Sequence, residues 1–231
     1  MKLPVLLAVV LASCSAPVLA LDAVVEETFT APLDAGKWVI PTNFAPSSSQ
    51  GRLVWKMDGW DEGRDSVVGL RLRNPLDKLN FVRTPIRLSL ADIAISGGEK
   101  PEGVILMLIL ASNQSAEQLS DSFLKLRIDG SGKVAVTMPG MTKTGEKGDR
   151  TLLQTQVALP IRSLALELDE HLVRLSVEDA KGSDIQETGW KNILSKEVWQ
   201  DASPFLILKA VRKAGPGTPE ISIGKLDITE L

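Results

Sequence analysis

The sequence predicts an all-β fold, a sandwich or barrel of mainly antiparallel strands. Apolar residues alternate with polar ones in about a dozen short runs, the period of a half-buried strand. Gly, Pro, Asp, Asn and Ser punctuate the gaps between those runs. Only Ala116–Phe123 and Ile193–Gln200 look helical, each a turn or two, too little for a layer of helices.

The chain has 231 residues, and its first twenty read as a targeting segment. Lys2 gives a positive start, Leu3 to Ala12 form an apolar run too short to span a bilayer, and Val18 and Ala20 place small residues before a cleavage point. The expected mature chain, 21–231, begins at Leu21 and forms one β-sandwich domain. Leu11-Ala12-Ser13-Cys14 also resembles the bacterial lipobox, so acylation at Cys14 is the alternative to simple secretion. The first reading places the protein in the periplasm or outside the cell, the second makes it an outer-membrane lipoprotein.

Cys14 is the only cysteine, so after either cleavage no disulfide or thiol chemistry remains and the core alone must hold the fold. A net charge of −3 argues against a general binder of nucleic acid or anionic membranes.

The runs begin with Val24–Phe29 and Leu53–Met57, followed by Val67–Arg73, Ile86–Ile95, Val104–Ala111 and Phe123–Asp129. They continue with Lys133–Met138, Leu152–Val157, Leu164–Asp169 and Leu172–Glu178, and end with Phe205–Val211 and Ile221–Thr229. Two hairpins can be read to the register. Closing the chain over Glu170-His171 sets Leu168 opposite Val173, Leu166 opposite Leu175 and Leu164 opposite Val177, with Glu167 facing Arg174 on the other side. A slip of one residue would mismatch every pair. Turning at Gly130-Ser131-Gly132 sets Ile128 opposite Val134, Leu126 opposite Val136 and Leu124 opposite Met138. Pro139–Arg150 and Ala214–Pro219 are expected to be surface loops.

Several stretches resemble the concanavalin A-like lectin/glucanase superfamily, whose laminin G-like jelly-roll sandwich recurs in secreted sugar-binding and sugar-cleaving proteins. Glu27-Thr28-Phe29 with Leu33-Asp34 and Trp38 is similar to the opening of such domains, and Gly51 to Gly59 to the strand and turn that follow. The hairpin Leu164–Val177 with Thr188-Gly189-Trp190, and the ending Glu220–Thr229, resemble the back-sheet hairpin and the closing strand. The resemblance implies a two-sheet antiparallel sandwich and carries over no functional residue.

Glucanases of that superfamily carry Glu-x-Asp-x-x-Glu or Glu-x-Asp-x-Glu on one strand, which aims alternate carboxylates into a cleft. Here Glu167-Leu168-Asp169 begins the motif, but His171 and Leu172 stand where its last Glu belongs. A hairpin face with Glu167 paired to Arg174 explains these residues better, so no catalytic residue is assigned.

The loop Trp60-Asp61-Glu62-Gly63-Arg64-Asp65 is the most site-like segment. An exposed indole could stack on a sugar while Asp61, Glu62 and Asp65 accept hydroxyl hydrogen bonds. With Asp58 these acids also offer oxygens for calcium, though not at EF-hand spacing. Asp129-Gly130-Ser131-Gly132 is better explained by hairpin chemistry than by calcium. The lone histidine, His171, cannot build a histidine metal site, and no metal ligand set is assigned. The expected function is a non-catalytic exported module that binds glycan or another envelope or extracellular component, or serves structurally. A divergent glycoside hydrolase or lyase of the same fold is the alternative.

Overall fold

The computed structural model describes residues 23–76, 85–111, 122–141, 147–169, 172–182, 185–192 and 204–231. Among them the chain forms seventeen strands in two antiparallel sheets, and the only helix is a 3₁₀ turn at Pro101–Gly103. The two short helices expected within 116–123 and 193–200 lie outside the described residues, apart from Ser122 and Phe123, which belong to a strand. The segments containing Cys14 and Glu170-His171 also lie outside them.

The seven-stranded sheet runs in the order β10 (Lys147–Gln156), β9 (Lys133–Met141), β8 (Ser122–Asp129), β7 (Val104–Ala111), β15 (Phe205–Arg212), β5 (Ser66–Leu72) and β2 (Trp38–Val39). The ten-stranded sheet runs β13 (Ile185–Glu187), β12 (Leu172–Asp179), β11 (Ile161–Asp169), β6 (Ile86–Ser96), β16 (Glu220–Ile223), β4 (Arg52–Lys56) and β3 (Ser47–Ser49). Beside that path, β17 (Lys225–Glu230) pairs with both β6 and β1 (Ala23–Glu27), and β14 (Lys191–Asn192) pairs with β12.

Alternation drives the packing. On β7, Leu106, Leu108 and Leu110 face the core, and on β11 Leu164, Leu166 and Leu168 do the same. Trp38, Leu53, Trp55, Met57 and Leu70 are fully buried between the sheets. Each such aliphatic side chain contributes about 1.5–3 kcal/mol on leaving water, and their sum lets a chain without disulfides hold together.

Both hairpins take the expected registers. Leu164 faces Val177, Leu166 faces Leu175, Glu167 faces Arg174 and Leu168 faces Val173. In the other, Ile128 faces Val134 and Leu126 faces Val136. Its turn is fixed by Asp129, whose Oδ1 accepts hydrogen bonds from Ser131 N–H (3.0 Å) and Ser131 Oγ (2.6 Å). Gly132 sits at φ +85°, and a Cβ there would lie 1.9 Å from the carbonyl oxygen of Val157, so no other residue fits.

Three expectations need correcting. Within 139–150, Pro139–Met141 belong to β9 and Lys147–Arg150 to β10 instead of a loop, and 142–146 lie outside the described residues. A strand on one sheet face needs no apolar residues when that face meets water. Four strands of two or three residues (β2, β3, β13, β14) were too short to show alternation.

The run 221–229 is also two strands rather than one, divided at Gly224. Opposite this division Asp92 takes φ +52°, and β6 changes its alternation there without losing register with its neighbours. Leu88 and Leu90 face the core before Asp92, Ile93 and Ile95 after it. β17 pairs with β6 up to Ala91 and β16 from Ala94 onward. Gly224 N–H donates to Ala91 O at 2.8 Å, and a Cβ on Gly224 would come within 2.9 Å of the Asp92 side chain.

Candidate ligand-binding face

The loop singled out from sequence is bound up in the fold. Trp60 is 4% exposed and belongs to the hydrophobic core, with Phe44 tilted against it at 5.3 Å between ring centroids. The exposed indole platform expected at this position is therefore not present. Its backbone is held by Arg212, itself 3% exposed, which donates to Trp60 O (3.2 Å) and Gly215 O (2.5 Å).

The acids of the loop are engaged as well. Glu62 accepts from Gly217 N–H at 3.3 Å and lies 3.5 Å from the Arg212 guanidinium. Asp61 caps Gly63 N–H at 2.8 Å and pairs with Arg64. Asp65 accepts from Lys213 Nζ (2.5 Å) and Ala214 N–H (3.0 Å), and the Lys213 hydrogen bond, then that of Ala214, holds its carboxyl below the usual range. The loop and the Ala214–Pro219 segment thus lock each other in place. Nor do the acids fit a calcium ion, because these oxygens point at guanidinium, ammonium and amide groups instead of converging. Among the described residues no group of three or more His, Cys, Asp or Glu could hold a metal.

Glu167 stands on the outer side of β11, 6% exposed, between two arginines. Arg174 pairs with its Oε2 through Nε at 3.0 Å and through Nη2. Arg87, on the neighbouring strand β6, donates to its Oε1 at 3.0 and 2.5 Å. Burial alone would raise the carboxyl's pKa, but the hydrogen bonds from Arg87 and Arg174 outweigh it and the pKa is lowered. The Arg174 pairing matches the hairpin register, whereas Arg87 comes from a strand that only the sheet order places alongside.

Three surface depressions draw on different parts of the fold. One of about 360 Å³ lies beside Asp92, lined by Arg52, Asp92 and Arg162 among others. Its cations are engaged, since Arg52 donates to Asp92 O (2.8 Å) and Ser222 Oγ (2.7 Å), and Arg162 pairs with Glu178. Another, of about 520 Å³, lies along residues 26–37. There Glu27 accepts from Trp38 Nε1 at 3.1 Å and pairs with Lys37, while Asp34 caps Gly36.

The third, about 90 Å³, lies on the outer face of the seven-stranded sheet and is lined by Arg127, Lys133, Ala135, Thr137, Thr151 and Gln154. Register puts these groups side by side: Arg127 opposite Ala135, Ala135 opposite Gln154, and Thr137 opposite Thr151. All project away from the core because Leu126, Val134, Val136 and Leu153 take the inner face. Arg127 is 45% exposed and 3.9 Å from Asp129. Among the described residues the side chains of Thr137, Thr151 and Gln154 have no hydrogen-bond partner, so their donors and acceptors face solvent. No carboxylate lines the depression. The sequence held one signal for it, Lys133 and Thr137 alternating with Val134, Val136 and Met138 on β9, but that pattern belongs to any solvated sheet face.

No family model matches the sequence, nor does any curated protein. Solved structures do match. The metal-free VIP36 exoplasmic/lumenal domain aligns with a TM-score of 0.63 at 9% identity, covering 92% of this chain and 94% of that one. The potassium-bound Emp46p carbohydrate recognition domain gives 0.59 at 13% identity, over 91% and 98%. The Ca²⁺/Man2-bound form of the VIP36 domain gives 0.59 at 9% identity, over 88% and 86%. At such identities the likeness is one of fold, and that fold is the concanavalin A-like jelly roll the sequence resembles.

Proposed function

We propose that the chain is an exported, non-catalytic, lectin-like module that binds a glycan, or another envelope or extracellular component, on the outer face of its seven-stranded sheet. The observation that carries this reading is the depression around Arg127, where the hydroxyl and amide groups of Thr137, Thr151 and Gln154 lie without internal partners beside Lys133 and Arg127, the latter 3.9 Å from Asp129. Solvated donors and acceptors on a rigid strand scaffold suit a ligand made of hydroxyls, and cost little to desolvate one group at a time. Two cations and no carboxylate favour a glycan that carries acidic groups. Structures with the same fold include one described as a carbohydrate recognition domain and one bound to Man2, which supports a glycan as the ligand class.

The test is a glycan array with neutral and acidic members, followed by titration calorimetry of the hits. Thr151→Val with Gln154→Ala should weaken binding about tenfold or more, and Arg127→Ala should selectively lose acidic glycans. Unchanged affinity in both variants would remove this face.

Export is read from residues 1–20, with a mature start at Leu21, or a lipid on Cys14 if the lipobox is used. Intact mass of the purified mature protein separates these, as does incorporation of labelled palmitate with a Cys14→Ser control. A hydrolase or lyase reading finds less support. An acid catalyst must keep its proton near neutral pH, and Glu167 is held ionised by two arginines.

A further inference from the structure

We propose that Trp190 is a preformed stacking platform for a neutral sugar ring, on the edge of the ten-stranded sheet. This site stands apart from the depression around Arg127 and does not depend on it. Trp190 is 40% exposed, whereas Trp38, Trp55 and Trp60 are buried at 1%, 0% and 4%. Its ring lies over the guanidinium of Arg174, with Cζ 4.9 Å from the ring centroid.

That guanidinium cannot wander. It is tied to Glu167, which Arg87 fixes from the other side, and Nη1 lies 3.2 Å from Glu187. The backbone is anchored as firmly. Thr188 N–H donates to Leu175 O (2.9 Å), and Thr188 Oγ1 accepts from Leu175 N–H (3.0 Å). The tryptophan therefore rides between β13 and β14, each paired to β12. An exposed indole normally loses rotamer freedom on binding; here that freedom is already spent on folding.

The surroundings decide the ligand class. An anion gains little, because the charge on Arg174 is already matched by Glu167 and Glu187. A cation would meet Arg174 against the same ring. A protein partner needs an interface of about 1,000 Å² or more, and the large exposed apolar groups on this edge among the described residues are Trp190 and Ile185 alone. A pyranose fits: its apolar face stacks on the indole and its hydroxyls turn toward Glu187 and Asn192, both exposed and on the Arg174 side of the sheet by register.

The test titrates the full chain with neutral hexasaccharides (cello-, laminari-, xylo- and mannohexaose), following tryptophan fluorescence and heat. At least one should bind with a change in emission. Trp190→Ala should weaken it about tenfold or more and abolish the emission change. Arg174→Lys, which keeps the charge and loses the flat support, should lower affinity several-fold. If Trp190→Ala does not fold, Trp190→Phe and Arg174→Lys decide in its place. Binding of none of the four sugars, or wild-type affinity in the Trp190 and Arg174 variants, overturns the proposal.

Discussion

The loop Asp58–Asp65 and the outer face around Arg127 are both rich in polar side chains, but only the loop turns them inward on the protein. Asp61, Glu62 and Asp65 each meet a cation or an amide of their own chain. Thr137, Thr151 and Gln154 meet water. The loop spans a gap at the end of the sandwich, where backbone amides lack strand partners and must find side chains. The outer face has its backbone satisfied by the ladder, so its side chains are left over. Polar density in a sequence therefore says little about ligands until the backbone demand at each position is known.

Mutations can break that contrast, because loop changes should act on stability and face changes on binding. The largest effect is expected from Trp60→Ala, about 3–5 kcal/mol of stability lost by urea denaturation. Trp60→Phe should cost far less, since the buried indole N–H makes no hydrogen bond. A Trp60→Ala protein as stable as wild type would mean that the loop is not part of the core.

Glu167→Gln should cost about 2–3 kcal/mol at neutral pH, discounted because both arginines reach solvent. The pH dependence follows from the lowered pKa of Glu167. Its contribution is complete above the unfolded value of about 4.3 and is lost as pH falls through the lower folded value. Wild type and variant should converge in stability on acidification, and parallel curves would count against the arginine pairing.

Asp61→Ala, which removes one exposed ion pair and a turn cap, should cost about 0.5–1 kcal/mol. Thr151→Val with Gln154→Ala should stay within about 0.5 kcal/mol of wild type while losing ligand. Calcium and EDTA should leave Tm unchanged, and a rise with calcium would show that the loop acids can regroup around an ion.

The fold was legible where one face of a strand is apolar and its partner is near in sequence. Leu166 and Leu175 announce their pairing because alternation and a two-residue turn leave no other register. Arg87 beside Glu167 was not legible, since strands eighty residues apart share no local signal. The break in alternation at Asp92 hid for a related reason: Leu90 and Ile93 both read as core, and the positive φ between them leaves no local mark beyond a phase slip. The loop misled because Trp60 is flanked by charged residues, and burial of an indole depends on what the rest of the chain places over it. The polar face around Arg127 carried no pattern that separates a binding surface from a merely wet one.

The pairing of β1 with β17, in which Ala23 faces Thr229 and Glu27 faces Leu226, has a consequence for how the molecule is made. Among the described residues β1 has no other neighbour, so it stays unpaired until residues 226–229 have left the ribosome. β4 has β3 on one edge but waits for β16 on the other, and β6 waits for β11, β16 and β17. Strands β7 to β10, by contrast, form a meander of neighbours that can zip up as they emerge. That half of the seven-stranded sheet rests on local pairings, while β15 joins β7 to β5 late and the pairings of β1, β4 and β6 with the C-terminal strands close late as well. A nascent chain stalled before Glu220 should hold the meander and leave the N-terminal strand open to protease.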